Sequence, residues 1–308
     1  MTSQPICKSC GQPIYGAYVA ALGEAWHPEH FICAHCQRPI SDKEYYRHQG
    51  VVFHITCFQQ HIADRCACCG KPLLGPYLVD QWGTKFCTAH RDELLACRFC
   101  GRLISPRQQG RRTLNGEEIR CPICRSSAIE AIAQARPLFA NLVQWVNGQG
   151  LWFNDLSLLI ELRNRTQLAQ FLREPGDTRA LGATLHSTIT QNGTLVRCEV
   201  RGVAILRGLP RTLFEGVTVH ELGHAWLAVH GVVGLPPWSE EGFCEALAFR
   251  FYYEQRTAES RFYLSLIENS VDPIYGEGFR RVRAIARQCS WRTLLDTLLA
   301  RKELPNIH

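Results

Sequence analysis

Five consecutive residues carry the most chemistry in this chain: His220-Glu221-Leu222-Gly223-His224. On a helix, His220 and His224 stand one turn apart on the same face, where two imidazoles can hold one zinc ion. Glu221 then lies beside the metal, placed to take a proton from a water molecule there. A zinc hydrolase needs a third protein ligand and one open position. The stretch Trp238-Ser239-Glu240-Glu241-Gly242-Phe243-Cys244-Glu245-Ala246 offers three carboxylates for it, Glu240, Glu241 and Glu245. Without a metal, the acidic pair reads as a solvated helix start and the histidines as a structural pair in a core helix.

The elements that must position these residues are legible around them. Val217 to Val229 predicts a buried helix, with Leu222, Ala225, Trp226 and Val229 filling the positions around the histidines. A second helix carries Glu241 and runs on through Phe249, Phe251 and Tyr252. Ahead of the motif, Leu195 to Val200 alternates and Gly202 to Leu206 follows, which predicts a strand pair that Gly208-Leu209-Pro210 ends. Further upstream, Ile129, Ile132, Ala133, Leu138, Leu142 and Trp145 recur at helical spacing, and Leu156 to Phe171 reads the same way. Pro137 starts or kinks a helix, and Pro175-Gly176-Asp177 closes the segment. Downstream, Val271-Asp272-Pro273-Ile274-Tyr275 leads into an amphipathic helix pair ending near Ala300. The Tyr275 hydroxyl is a candidate hydrogen-bond donor to an oxyanion, the alternative being a buried structural tyrosine.

The N-terminal part has a different chemistry. Sixteen cysteines are far more than an enzyme without metals carries, and most fall in pairs before residue 125. Paired spacing without an export signal argues for zinc and a reducing cytoplasm rather than disulfides. Four tetrahedral sets follow in order: Cys7, Cys10, His27 and His30; then Cys33, Cys36, His54 and Cys57. The third is Cys66, Cys69, Cys87 and His90, and the fourth Cys97, Cys100, Cys121 and Cys124. Modules this small bury too little apolar surface to fold alone, so the metals supply the missing stability. Trp26 and Phe31 are the natural fillers between the first two sets, Gly70 and Gly101 suit the tight turn after a cysteine pair, and His35 reads as a surface residue. Cys68 competes with Cys69, but the two-residue gap favours Cys69. Cys68, Cys198, Cys244 and Cys289 remain as ordinary small residues.

The formal charge of +6 falls to about +2 once twelve thiolates and four zinc ions are counted. The only local basic cluster is Arg107, Arg111 and Arg112, so no nucleic-acid partner is expected. No apolar run reaches the length of a membrane span, and Met1 to Pro5 does not open a signal peptide, so no membrane association is expected.

The spacing of the first two sets, with Trp26-His27-Pro28-Glu29-His30-Phe31, resembles a LIM domain, although His30 and His54 stand where cysteine is common. The third and fourth sets are LIM-like. The C-terminal pattern is similar to gluzincin peptidases, whose third ligand is a glutamate on a second helix followed by glycine; that implies Glu241. In such enzymes the edge strand before the zinc helix pairs with substrate backbone. The combination resembles the DA-one family, in plants ubiquitin-activated peptidases that limit organ growth. The likeness rests on Gly208-Leu209-Pro210-Arg211 through Trp226, on Glu240-Glu241-Gly242, and on Asp272-Pro273-Ile274-Tyr275-Gly276-Glu277-Gly278-Phe279-Arg280. It implies that His220, His224 and Glu241 bind zinc and that Glu221 is catalytic. Plant members carry ubiquitin-interacting motifs ahead of the LIM domain. With Cys7 as first ligand, ubiquitin dependence is not expected here.

The expected architecture is α+β and multidomain. A LIM domain (1–62) and a LIM-like zinc module (63–127) precede a helical connection (128–175). A mainly helical gluzincin-type metallopeptidase domain with a small antiparallel sheet closes the chain (176–308). The expected cofactors are four structural zinc ions and one catalytic ion. The expected function is cleavage of protein substrates, with LIM modules recruiting partners or regulating the cleft. The alternative is a LIM adaptor with an inactive or latent peptidase domain.

Overall fold

The computed structural model describes residues 4–41, 44–108, 119–172, 180–191 and 194–305. Arg111 and Arg112, and the Pro175-Gly176-Asp177 breaker, lie outside these. The chain forms two compact units, residues 1–96 with 101–111, and residues 97–100 with 112–308. The four cysteines of the fourth set therefore all belong to the second unit.

The first unit is a series of short antiparallel hairpins. They are β1 (Val19–Ala21) with β2 (Glu24–Trp26), β3 (Tyr46–His48) with β4 (Val51–Phe53), β5 (Tyr77–Val79) with β6 (Lys85–Cys87), and β7 (Leu95–Ala96) with β8 (Leu103–Ile104). A turn of helix, α1 (Ile55–Cys57), follows β4. The knuckles set the chain direction. Gly11 donates to the Cys7 carbonyl and Gly70 to the Cys66 carbonyl, both at 2.8 Å. Gly70 takes a φ of 75°, which only glycine adopts without cost. Phe31 is 2% exposed and meets Trp26 at a ring-centroid distance of 5.7 Å, with Ile40, Val52, Phe53 and Phe58 around it. A second small core holds Leu73, Phe86 and Cys68, which is buried as a packing residue.

In the second unit, α2 (Pro122–Ser126) and α3 (Ile132–Gly148) precede β9 (Leu159–Arg163) and α4 (Arg165–Leu172). Pro137 lies inside α3. The hairpin β10 (Gly182–Gln191) and β11 (Thr194–Leu206) leads into α5 (Arg211–Val229) and α6 (Pro237–Gln255). The chain closes with α7 (Ala258–Glu268), α8 (Tyr275–Cys289) and α9 (Trp291–Arg301).

Three expectations change here. Leu156 to Phe171 is not helical throughout, because β9 occupies Leu159–Arg163 before α4 begins. Its leucine-rich run has helical propensity, but pairing with Gly202–Leu206 of β11 overrides it. The sheet order is β10-β11-β9, antiparallel between β10 and β11 as expected but parallel between β11 and β9. Residues 194–206 form one strand rather than two, with β10 as its partner.

The core of this unit lies where α5 and α6 cross. Phe214, Val219, Leu222 and Trp226 of α5 and Phe243 and Leu247 of α6 are almost fully buried. Trp226 meets Phe243 at 5.7 Å, and Phe243 stacks on Trp291 of α9 at 5.5 Å. No helix among the described residues is long and apolar enough to cross a membrane.

Candidate metal centre and cleft

Each of the four N-terminal sets brings its ligand atoms within 4.8 Å of one another. A shared hydrogen bond recurs in all four. The first cysteine sulfur accepts the amide of the third ligand: His27 to Cys7 at 3.4 Å, His54 to Cys33 at 3.4 Å, Cys87 to Cys66 at 3.3 Å and Cys121 to Cys97 at 3.3 Å. Burial opposes ionisation of Cys7, yet the amides of His27, Cys10 and Ser9 hold its thiol at about 5. Cys33 is lowered to about 6, burial again being outweighed by amide donors. Thiolates prepared in this way beside imidazoles suit zinc.

The histidine pair stands on α5, and the carboxylates that face it stand on α6. Gly223 of α5 lets the two helices approach: a Cβ there would meet the Cys244 sulfur at 2.9 Å. A Cβ at Gly242, directly after Glu241, would meet the Gly278 carbonyl carbon and oxygen at 2.4 Å. Gly278 in turn sits against the Trp238 carbonyl, where a Cβ would stand at 2.2 Å. The glycines around Glu241 and in α8 are therefore spacers that seat α8 against α6.

His220 Nε2 and His224 Nε2 lie 3.2 Å apart, and Glu241 Oε2 stands 3.1 Å from the first and 3.4 Å from the second. Three donors bound tetrahedrally at zinc–nitrogen and zinc–oxygen lengths stand about 3.3 Å from one another. The nearly equilateral triangle fits one such ion. The competing carboxylates go elsewhere. Glu245 Oε1 meets His220 Nδ1 at 3.2 Å, and Glu240 Oε1 meets His224 Nδ1 at 3.0 Å. Carboxylates there fix which ring nitrogen faces the metal position. Burial pushes Glu241 up, but hydrogen bonds from His220 and His224 outweigh it and hold the carboxyl well below the usual range.

Cys244 is the residue sequence reasoning undervalued. Its sulfur lies within 4.8 Å of ligand atoms of both histidines. Its spacing gave no signal, because it follows Glu241 by three residues and pairs with no second cysteine. Burial raises its thiol pKa, which disfavours the thiolate that would compete with Glu241.

Glu221 is 8% exposed, and burial raises its pKa despite the nearby histidines and the Thr184 hydroxyl. Thr184 of β10 lies 3.0 Å from both Glu221 Oε2 and the Glu221 backbone oxygen, so its hydroxyl can donate to the carboxylate. Gly182 lets β10 pass close by, since a Cβ there would meet Glu221 Cγ and Oε1 at 2.8 Å. Tyr275 begins α8, its ring centroid 6.3 Å from that of His220. The Asp272 carboxylate accepts the amides of Ile274 and Tyr275 at 2.8 and 2.9 Å and fixes that start. Burial raises the Tyr275 phenol to about 12, so it remains a donor at neutral pH. Two cavities, about 580 and 680 Å³, flank the pair and share His220, Glu221 and Tyr275 in their walls.

Comparison with known proteins agrees with this organisation. A family model described as DA1-like, Protein DA1, matches residues 162–261, and the LIM domain model matches residues 7–51. Protein DA1 of Arabidopsis thaliana is 26% identical over 94% of this chain and 66% of its own length. Protein DA1-related 1 of the same plant is 26% identical over 96% of this chain and 65% of its own. The LIM domain-containing protein HDR3 of Oryza sativa subsp. japonica is 24% identical over 94% of this chain and 72% of its own. The chain thus spans just under two thirds of the length of the first two.

Proposed function

From a chain that joins an N-terminal LIM domain to a DA1-like domain, related over most of its length to the DA1 proteins, we propose a zinc-dependent peptidase acting on proteins. The observation that carries the reading is the triangle of His220 Nε2, His224 Nε2 and Glu241 Oε2, with edges of 3.1–3.4 Å and Glu221 beside it. His220, His224 and Glu241 would hold the metal. Zinc bound there supplies Lewis acidity, which polarises a carbonyl and makes water easier to deprotonate.

The remaining work falls to the chain's own groups. Glu221 takes the proton of the attacking water and returns it to the leaving amine. The Thr184 hydroxyl steadies Glu221 Oε2, and burial keeps bulk water from competing for the proton. Tyr275, whose ring lies 6.3 Å from that of His220, is the hydroxyl available to donate to the oxyanion as the carbonyl becomes tetrahedral. Glu240 and Glu245 orient the two imidazoles from behind. Protein partners bind through the LIM domain, as LIM domains in general do.

The test is to incubate the full chain and Glu221→Gln with zinc and an unstructured protein and to read new termini by mass spectrometry. New termini from the unaltered chain alone support the reading. Equal cleavage by both removes Glu221 from the role of base, and no cleavage by either favours a LIM adaptor.

A further inference from the structure

The apolar cavity beside His220 has walls that bond cleavage itself does not call for. Helix α5 contributes Gly216, Val217 and His220, one stripe at helical spacing. Helix α6 contributes Glu245, Ala248 and Tyr252 at the same kind of spacing, and α7 contributes Tyr263, Leu266 and Ile267. Past His220, Glu221 and Glu245, the lining is apolar or aromatic. Its volume of about 580 Å³ lies in the range of ligand pockets.

The floor is specified by a glycine. A Cβ at Gly216 would meet the Tyr252 hydroxyl oxygen at 1.9 Å and its Cζ at 2.0 Å, so the Tyr252 ring lies directly against the α5 backbone. Tyr263 stacks on Tyr252 at a centroid distance of 5.3 Å and an angle of 24°. Its hydroxyl then donates to the Phe99 carbonyl at 3.2 Å, inside the Cys97–Cys100 knuckle. The same cysteine cluster is tied to the start of α5. Arg120 donates to the Gly208 carbonyl at 3.0 Å, and the Arg211 amide to the Ser127 carbonyl at 2.9 Å. All four cysteines of that cluster are buried. It is thus joined both to the helix bearing the histidines and to the aromatic wall of the pocket.

We propose that this pocket receives a large apolar side chain of the substrate, leucine-sized or aromatic, beside the bond that is cut, and that Tyr263 sets its far wall from the fourth cysteine cluster. The proposal deepens the peptidase reading and rests on it for the identity of the bound peptide. An acidic residue in that position would meet Glu245 and an apolar wall and is rejected. A small residue leaves the pocket unfilled. Tyr263 acts as a positioning residue: its ring forms the wall and its hydroxyl fixes where that wall stands.

The experiment uses the full zinc-loaded chain carrying Glu221→Gln, so that peptides bind without turnover. The probes are fluorescently labelled octapeptides alike except for one central residue, Phe, Leu, Ala or Asp, titrated by anisotropy. Phe and Leu are expected to bind on the order of tenfold tighter than Ala, with Asp weakest. Leu266→Trp changes an exposed rim residue, narrows the mouth and is expected to flatten that ranking. Tyr263→Phe keeps the ring and deletes only the bond to Phe99. It is expected to lower the Phe-to-Ala ratio several-fold while the melting temperature falls by only a few degrees, as loss of one buried hydrogen bond does. Without the Glu221 change, it raises KM more than it lowers kcat. Equal binding of all four peptides, or of none, overturns the pocket, and a ratio untouched by Tyr263→Phe overturns the role of Tyr263. If the unaltered chain cleaves nothing while the ranking persists, the pocket stands and the peptidase reading falls.

Discussion

Glu221, Glu240, Glu241 and Glu245 sit within one small volume yet have four different surroundings. Glu241 faces both Nε2 atoms, Glu240 and Glu245 back the two Nδ1 atoms, and Glu221 is buried against Thr184. Single changes should therefore separate. Glu241→Ala is expected to lose the zinc of this site outright. Glu245→Gln should keep it with affinity lowered by about 10- to 100-fold, as removal of a partner behind a ligand does. Competitive chelator titration of the two variants reads that difference, and equal loss would remove the distinction between the two roles. Glu221→Gln is expected to retain zinc and to lose about 10²- to 10⁴-fold in cleavage rate. His220, Glu221 and His224 were legible in the sequence because a one-turn spacing is turned directly into a shared helix face. Among the three other glutamates the gluzincin likeness singled out Glu241, but the places of Glu240 and Glu245 behind the imidazoles had no signal, since they depend on how α5 and α6 cross.

That crossing belongs to the elements. Gly223 lies against Cys244, and Gly242 against Gly278, in contacts that admit no side chain. Gly278→Ala is expected to force α8 away from α6 and to cost about 1–3 kcal/mol by overpacking. Thermal melting with a zinc count would check it, and a variant as stable as the unaltered chain would show that the helices yield there. Helices α5, α6, α8 and α9 were readable from periodic apolar residues and from the breakers between them. Strand β9 was not, because Leu156 to Leu162 lacks alternation and its parallel partner lies some 40 residues on in β11. The tie from Tyr263 to Phe99 spans 164 residues and has no local signature at all.

For the whole molecule, the cysteine spacing foretold four donor sets, since two-residue gaps are what a knuckle's geometry demands. It did not foretell that the fourth set would fold with the second unit, a grouping set by tertiary contacts around α2, α5 and α7. A strong chelator is therefore expected to act on both units. The first loses the hairpins that its small cores cannot hold alone, read as lost near-ultraviolet dichroism around Trp26 and Trp82. The second is expected to lower its melting temperature through the fourth cluster while its helices persist. Retained near-ultraviolet signal after full zinc removal would mean that the cores suffice.

The most direct measurement is the zinc content of the purified full chain beside His220→Ala and His224→Ala, by elemental analysis at equal protein concentration. About five ions per unaltered chain are expected, one for each Cys/His set and one for the histidine pair, and about four in each variant. The same count in all three would contradict this, because no ion would then be held by His220, His224 and Glu241.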